Sequence, residues 1–127
     1  MKQFKPEGYN SLAPYFIVRD SQRWIQLMEQ VFDAQLTRRY DNADGSLMHA
    51  EMQIDDSIIM LSEATEQYAA NQLLVHVYVP DALSTYSKAL KAGCEGIEAP
   101  VQKDNDPDLR GQFRDYAGHI WAIGTQS

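Results

Sequence analysis

The chain has 127 residues, of which 44% are hydrophobic and 23% charged, a composition typical of one globular domain. Its net charge of −7 argues against a nucleic-acid-binding surface and favours cationic partners through long-range attraction. A single cysteine excludes an intramolecular disulfide, and neither a signal peptide nor a membrane-spanning apolar run is recognisable. We therefore expect a cytoplasmic protein without membrane association.

The first half of the chain predicts a strand, a helix and three further strands. Residues 14–20 are rich in β-branched and aromatic side chains, and Asp20 or Ser21 is expected to cap the helix that follows. Apolar residues recur along that helix at helical spacing, namely Trp24, Ile25, Met28, Val31 and Phe32. Strands are then predicted at 34–40, 47–54 and 58–62, with an Asp-Gly turn at 41–46.

The same order of elements returns after a polar connector at 63–72. A strand at 73–79 leads to Asp81 as the N-cap of a second helix, which Gly93 is expected to end. The predicted apolar stripe of this helix comprises Leu83, Tyr86, Ala89 and Leu90. A weak strand at 95–101, a charged loop at 102–111 and two strands, 112–116 and 120–124, complete this half.

The two halves align as a tandem repeat of one supersecondary unit. The stretch APYFIVRD, residues 13–20, lies over LVHVYVPD, residues 74–81, and each runs into an aspartate. The stretch SIIMLS, residues 57–62, lies over HIWAIG, residues 119–124. The alignment depends on pattern, because few residues are identical.

Two βαβββ modules in so short a chain resemble the vicinal oxygen chelate superfamily, the glyoxalase/bleomycin-resistance/dioxygenase group. Stretches such as KPEGYNSLAPYFIVRD, MHAEMQIDDSIIMLSEA and RDYAGHIWAIGT are similar to its PhnB-like branch, and the resemblance spans nearly the whole chain. It implies an α+β fold in which two tandem βαβββ modules form curved mixed sheets around a cup. The modules would be residues 10–62 and 73–125 of a single domain, 1–127, and the protein would be a homodimer.

The enzymes of this superfamily hold a divalent metal at four positions, one in the first and one in the last strand of each module. Carried over to this chain, the positions are Ala13, Met60, Leu74 and Ala122. Alanine and leucine offer no ligand atom, and methionine offers only a soft thioether. The sequence therefore argues against glyoxalase-type isomerisation, which needs a Lewis acid, and no cofactor is predicted.

Strand alternation predicts which side chains face the cup. His76, in the middle of its strand, shares a face with Leu74 and Tyr78, and His49 shares one with Glu51. Trp121 is expected to face away from the cup and to pack beneath a helix. Arg110 and Arg114 either pair with nearby carboxylates or lie at the mouth. The expected ligand-binding residues are Tyr15, His49, Glu51, Met60, His76, Tyr78 and Phe113.

These observations favour a metal-independent protein that binds and sequesters a small molecule, such as a cationic drug, with Glu51 as partner for a cationic group. Two alternatives stay open. One is a metal-dependent glyoxalase-like lyase or dioxygenase with displaced ligands, drawn from His49, Glu51 and His76. The other is a ligand sensor or accessory protein without small-molecule chemistry. No catalytic residue is assigned.

Overall fold

A computed structural model describes residues 3–127; Met1 and Lys2, which begin the segment considered for a signal peptide, lie outside the described residues. The described residues form two compact units, one comprising residues up to 29 together with 33–70, the other 30–32 and 71–127. The first unit contains β1 (Tyr15–Val18), α1 (Ser21–Phe32), β2 (Gln35–Asp41), β3 (Leu47–Ile54) and β4 (Ser57–Glu63), although the last turn of α1 groups with the second unit. The second contains β5 (Leu74–Tyr78), α2 (Ala82–Lys91), β6 (Glu95–Gln102), β7 (Asp108–Arg114) and β8 (Ile120–Gln126).

Each unit has one four-stranded mixed sheet, and the two sheets share one topology. The strand order is β1-β4-β3-β2 in the first and β5-β8-β7-β6 in the second, with the first strand of each unit parallel to the last. Tyr15 pairs with Met60 in the first sheet, and His76 pairs with Ala122 in the second. These are the pairs that the sequence repeat aligns, so the predicted α+β fold of two βαβββ modules is confirmed.

The apolar stripe predicted for α1 is confirmed, since all five of its residues are buried. The predicted capping of this helix is wrong. Asp20 adopts a left-handed conformation with φ of 53° and its side chain makes no capping hydrogen bond. Instead, the backbone N–H groups of Asp20 and Ser21 donate to the Glu63 carboxylate at the end of β4, at 3.1 and 2.9 Å. Glu63, which is 42 residues away from Ser21 in the sequence, thus accepts hydrogen bonds from backbone N–H groups at the start of the helix.

The caps predicted for α2 are confirmed, but half of its apolar stripe is not. The Asp81 side chain accepts from the backbone N–H of Ser84, and Gly93 follows the helix with φ of 97°. Leu83 and Leu90 are 57% and 42% exposed. The buried residues of the helix are Ala82, Thr85 and Ala89, so Ala89 is the one residue of the predicted stripe that is buried, and Tyr86 is half-buried. The buried face is therefore turned from the predicted stripe towards Ala82 and Thr85.

The charged loop predicted at 102–111 is shorter than expected, because β6 extends to Gln102 and β7 begins at Asp108. At the other end of β7 a tight turn is organised by Asp115. Its Oδ1 accepts from the backbone N–H groups of Ala117 and His119, and its Oδ2 accepts from the Trp121 indole at 3.0 Å. Trp121 is fully buried and its ring centroid lies 4.9 Å from that of Phe32, as predicted for a residue packed beneath a helix.

Neither helix within residues 3–127 has the length and apolar character that a membrane crossing requires.

Candidate functional site

Four of the expected ligand-binding residues lie on one face of the first sheet. Met60 is the cross-strand partner of Tyr15 and of Glu51, and His49 lies two residues from Glu51 on the same side of β3. We refer to these four residues, Tyr15, His49, Glu51 and Met60, as the first-unit face. The opposite side of β3 is buried through Ala50, Met52 and Ile54. The alternation predicted for this strand is therefore confirmed.

A continuous hydrogen-bond chain links three members of the first-unit face. The Tyr15 hydroxyl lies 2.9 Å from Nδ1 of His49, and Nε2 of the same ring lies 2.8 Å from Oε2 of Glu51. The other carboxylate oxygen accepts a hydrogen bond from the Tyr9 hydroxyl, and Nε of Arg38 lies 3.7 Å from it. A phenol–imidazole–carboxylate chain fixes the orientation of the imidazole and can hold or move a proton along its length.

The Glu51 carboxyl group stays ionised although its side chain is only 7% exposed. Burial raises the pKa of Glu51, but hydrogen bonds from Tyr9 and His49, with the charge of Arg38, outweigh burial and hold that pKa below its usual range. Burial and the hydrogen bond to Glu51 together raise the pKa of Tyr9. At neutral pH the cluster therefore holds a carboxylate and a protonated phenol.

The second unit contains a pocket of about 290 Å³, which we call the second-unit pocket. His76 of β5 and Ala122 of β8 lie on its wall, together with Arg110 and Gln112 of β7. Charged residues of both signs surround it, and Lys103 lies 3.3 Å from Glu98. The expected residue His76 thus lines a concave site, whereas Tyr78 lies beside it with its ring 4.7 Å from the His76 ring.

Arg110 is the central polar side chain of this pocket. Its Nε and Nη2 donate to Asp106 and Asp108 at 2.8 and 2.7 Å, and its Nη1 lies 3.1 Å from Nε2 of His76. A guanidinium only donates, so Nε2 of His76 is the acceptor and the neutral ring carries its proton on Nδ1. Asp108 is 3% exposed and also accepts from the Tyr78 hydroxyl at 2.6 Å. The two carboxylates therefore fix the guanidinium, which in turn orients His76.

The face predicted for Phe113 is wrong. Phe113 is fully buried, its ring lies 6.0 Å from that of Phe32, and it is the cross-strand partner of Trp121. His76 pairs with Ala122, one residue further along β8, and therefore points to the other side of the sheet. We leave Phe113 out of the candidate site.

Several contacts of the site were not predicted from the sequence. Tyr9 was assigned no role, and Arg110 was left between pairing with carboxylates and lining the mouth. In the structure Arg110 pairs with carboxylates and lines the second-unit pocket, while Arg114 pairs with Glu95 at 3.2 Å. Asp106, Asp108 and Arg110 alternate at the start of β7, and this spacing was the sequence signal that Arg110 pairs with the two carboxylates. No comparable signal marked Tyr9, which meets Glu51 from 42 positions away.

The positions at which the superfamily's enzymes hold metal do not fit a divalent cation. Met60 lies between Tyr15 and Glu51, and Ala122 between His76 and Gln112, so both occupy the polar faces. Neither supplies an oxygen or nitrogen ligand. In addition, no three His, Cys, Asp or Glu side chains among residues 3–127 lie where they could hold a metal ion together.

The comparison with protein families agrees with the fold. Residues 9–123 match the Glyoxalase/Bleomycin resistance protein/Dioxygenase superfamily, which is most of the chain. The chain belongs to this superfamily. The superfamily joins glyoxalases and dioxygenases with bleomycin resistance proteins, so membership alone does not assign a function.

Several solved structures resemble the chain over nearly its whole length. TioX from Micromonospora sp. ML1 gives a TM-score of 0.77 at 21% identity, covering 93% of this chain and 99% of TioX. The fosfomycin resistance protein FosX from Mesorhizobium loti gives 0.65 at 19% identity, with coverages of 97% and 95%. TnmS3, an antibiotic binding protein from Streptomyces sp. CB03234, gives 0.68 at 13% identity, with coverages of 93% and 98%. At these identities the likeness concerns the fold alone.

Proposed function

We propose that the protein binds and sequesters a small organic molecule without a metal ion, in the manner of bleomycin-resistance proteins. One observation carries this proposal. The four positions at which the superfamily's enzymes bind metal hold Ala13, Met60, Leu74 and Ala122. The neighbouring positions on the same sheet faces carry hydrogen-bonded Tyr, His, Glu and Arg side chains, which suit the orientation of an organic ligand.

The size and lining of the second-unit pocket support binding of a small molecule or of one part of a larger one. Its volume of about 290 Å³ is at the lower end of the range for ligand pockets. Apolar Val101 and Ile123 lie beside His76 and Arg110, so the wall combines apolar surface with a few oriented polar groups. The antibiotic binding protein TnmS3 shares the fold, which makes antibiotics a reasonable first class to test.

The test is binding by the full chain after treatment with a chelator. Metal-free bleomycin, a planar cationic dye and a glycopeptide antibiotic are titrated into the protein, and Trp fluorescence and calorimetry report binding. Saturable binding that EDTA leaves unchanged supports the proposal. Binding that appears only after a divalent metal is added, or no binding across the panel, contradicts it.

The competing candidate is a metal-dependent lyase or dioxygenase, since the superfamily includes glyoxalases and dioxygenases beside bleomycin resistance proteins. It requires ligands away from the usual positions, with His49, Glu51 and His76 as the expected residues. Turnover that is lost on chelation and in the His76→Ala variant would establish it. A sensor or accessory protein would show neither turnover nor stoichiometric metal.

We also propose that the protein is a homodimer of the PhnB-like branch, as the resemblance implies, and that it is cytoplasmic, as its sequence leads us to expect. The exposed leucines of α2, Leu83 and Leu90, support an association surface, because apolar side chains of this size gain from removal from water. Light scattering coupled to gel filtration measures the mass directly. A mass of twice 14.4 kDa supports the homodimer, and a mass of 14.4 kDa contradicts it.

A further inference from the structure

The hydrogen bonds of the first-unit face dictate which kind of group a ligand must present there. The carboxylate of Glu51 is ionised and can only accept hydrogen bonds. Its two oxygens receive Tyr9 and His49, and each of these partners must therefore donate. Nε2 of His49 consequently carries a proton.

The tautomer of His49 then fixes the role of Tyr15. A neutral imidazole with its proton on Nε2 has a lone pair on Nδ1. Nδ1 accepts, so the Tyr15 hydroxyl at 2.9 Å is the donor. With its proton committed to His49, Tyr15 offers a ligand only the lone pairs of its oxygen. A doubly protonated His49 would reverse this hydrogen bond and make Tyr15 a donor to the ligand.

The surroundings of Tyr15 favour a positively charged donor. Tyr15 is 39% exposed, and the rings of Tyr15 and Tyr40 lie 5.6 and 6.2 Å from the His49 ring. Aromatic faces attract cations through their quadrupole, and the chain's net charge of −7 raises the local concentration of cations. Arg38 is the nearest fixed cation, and it is directed at Glu51 and over the Tyr9 ring.

We propose that the first-unit face recognises a protonated amine through the phenol oxygen of Tyr15, with the His49–Glu51 pair holding that oxygen as an acceptor. This inference rests on the proposed function of small-molecule binding and specifies the class of ligand. Tyr15 is thus a ligand contact, whereas His49 and Glu51 are positioning residues.

The second unit also commits a tyrosine proton to an internal acceptor. The Tyr78 hydroxyl donates to Asp108, a carboxylate that only accepts, and Arg110 is a further hydrogen-bond partner of Tyr78. The other contacts of Arg110 are with Asp106, Asp108 and His76, so the oxygen of Tyr78 is engaged within the pocket and the amine site is assigned to the first-unit face alone.

The test has two arms, both on the full chain at about pH 8. Long-range ¹H–¹⁵N spectra of the imidazoles report the tautomer of His49, which a His49→Gln sample identifies among the chain's three histidines. Binding of benzylammonium, benzyltrimethylammonium and benzoate is followed by chemical-shift titration. The same titrations are run on Tyr15→Phe and on Tyr68→Phe, a matched control in the connector that is 60% exposed.

The proposal predicts a proton on Nε2 of His49 and binding of benzylammonium in preference to both other probes. One hydrogen bond to a charged donor corresponds to roughly a tenfold or larger difference in affinity. Tyr15→Phe should therefore weaken benzylammonium about tenfold or more, while Tyr68→Phe leaves it unchanged. If the Glu51→Gln variant changes the tautomer of His49, it should also lose the binding of benzylammonium.

Two results would overturn the inference but leave small-molecule binding intact: a proton on Nδ1 of His49 in the neutral ring, or preferential binding of benzoate. Equal affinity for benzylammonium and benzyltrimethylammonium would also overturn it, because the quaternary probe has no N–H to donate. Failure of all three probes and of the antibiotic panel would overturn both this inference and the proposed function.

Discussion

Replacement of Glu51 by glutamine should destabilise the protein at neutral pH and should weaken the pH dependence of its stability. Glutamine keeps the size of the side chain but presents an amide NH₂ where one carboxylate oxygen now accepts from Tyr9 or His49. One of these hydrogen bonds is lost, and the other is then made to a neutral amide oxygen instead of a carboxylate. Hydrogen bonds to charged groups contribute about 1.5–3 kcal/mol, and both donors regain some water, so we expect a loss of about 2 kcal/mol.

The sign of the pH effect follows from the lowered pKa of Glu51. A carboxyl group whose pKa is lower in the folded than in the unfolded state adds stability at neutral pH, and that stability is lost as pH falls through the folded pKa. The reference pKa is 4.5, so the gap between wild type and Glu51→Gln should be largest near neutrality and should shrink below this value. Urea unfolding, followed by Trp fluorescence near pH 7 and near pH 4, measures this difference in the free energy of unfolding.

Glu66→Gln is the matched control, since Glu66 is an exposed residue of the connector. It should change the free energy of unfolding by less than about 0.5 kcal/mol. A Glu51→Gln protein as stable as wild type near pH 7 would refute the reasoning. A gap that stays constant between the two pH values would refute it equally, because it would mean that the charge of Glu51 contributes nothing.

Three further changes probe other parts of the structure. Glu63→Ala removes the acceptor for the backbone N–H groups of Asp20 and Ser21 and should cost about 1–2 kcal/mol in urea unfolding; no loss would contradict the capping role. Asp108→Asn should bring the pKa of Tyr78 down, since the hydrogen bond to Asp108 is the main cause that raises it; an unchanged ¹³C titration of labelled tyrosine would contradict this. Gly111→Ala places a Cβ 2.9 Å from Cγ and from N of Pro100 and should destabilise by about 1–3 kcal/mol; unchanged stability would mean that β6 moves freely at this point.

The fold was predictable from the sequence because both units repeat local patterns. The α1 stripe follows the helical period, and the alternation of β3 separates His49 and Glu51 from Met52. These signals depend only on neighbours within one element. The same argument correctly related Tyr15 to His76 as equivalent positions of the two units.

The failures share a different physical origin. Glu63 caps α1 although it lies 42 residues after Ser21 in the sequence, and Tyr9 contacts Glu51 across the same separation. No local sequence pattern therefore marks either contact. The face of Phe113 depends on the pairing of β7 with β8, and a shift of one residue reverses every side chain of a strand. Leu83 had the hydropathy of a core residue, but the orientation of α2 on its sheet buries Ala82 and Thr85 and leaves Leu83 exposed.

The central claim, that ligand binding in this chain needs no metal, is tested most directly by the metal content of the purified protein. Tag-free protein is expressed with Ni, Zn, Fe, Mn and Co available and is analysed by inductively coupled plasma mass spectrometry. The account predicts far less than one metal ion per chain, because Ala13, Met60, Leu74 and Ala122 offer no suitable ligands. Near-stoichiometric metal that is lost in His49→Ala or His76→Ala variants would contradict the account and favour the metal-dependent enzyme.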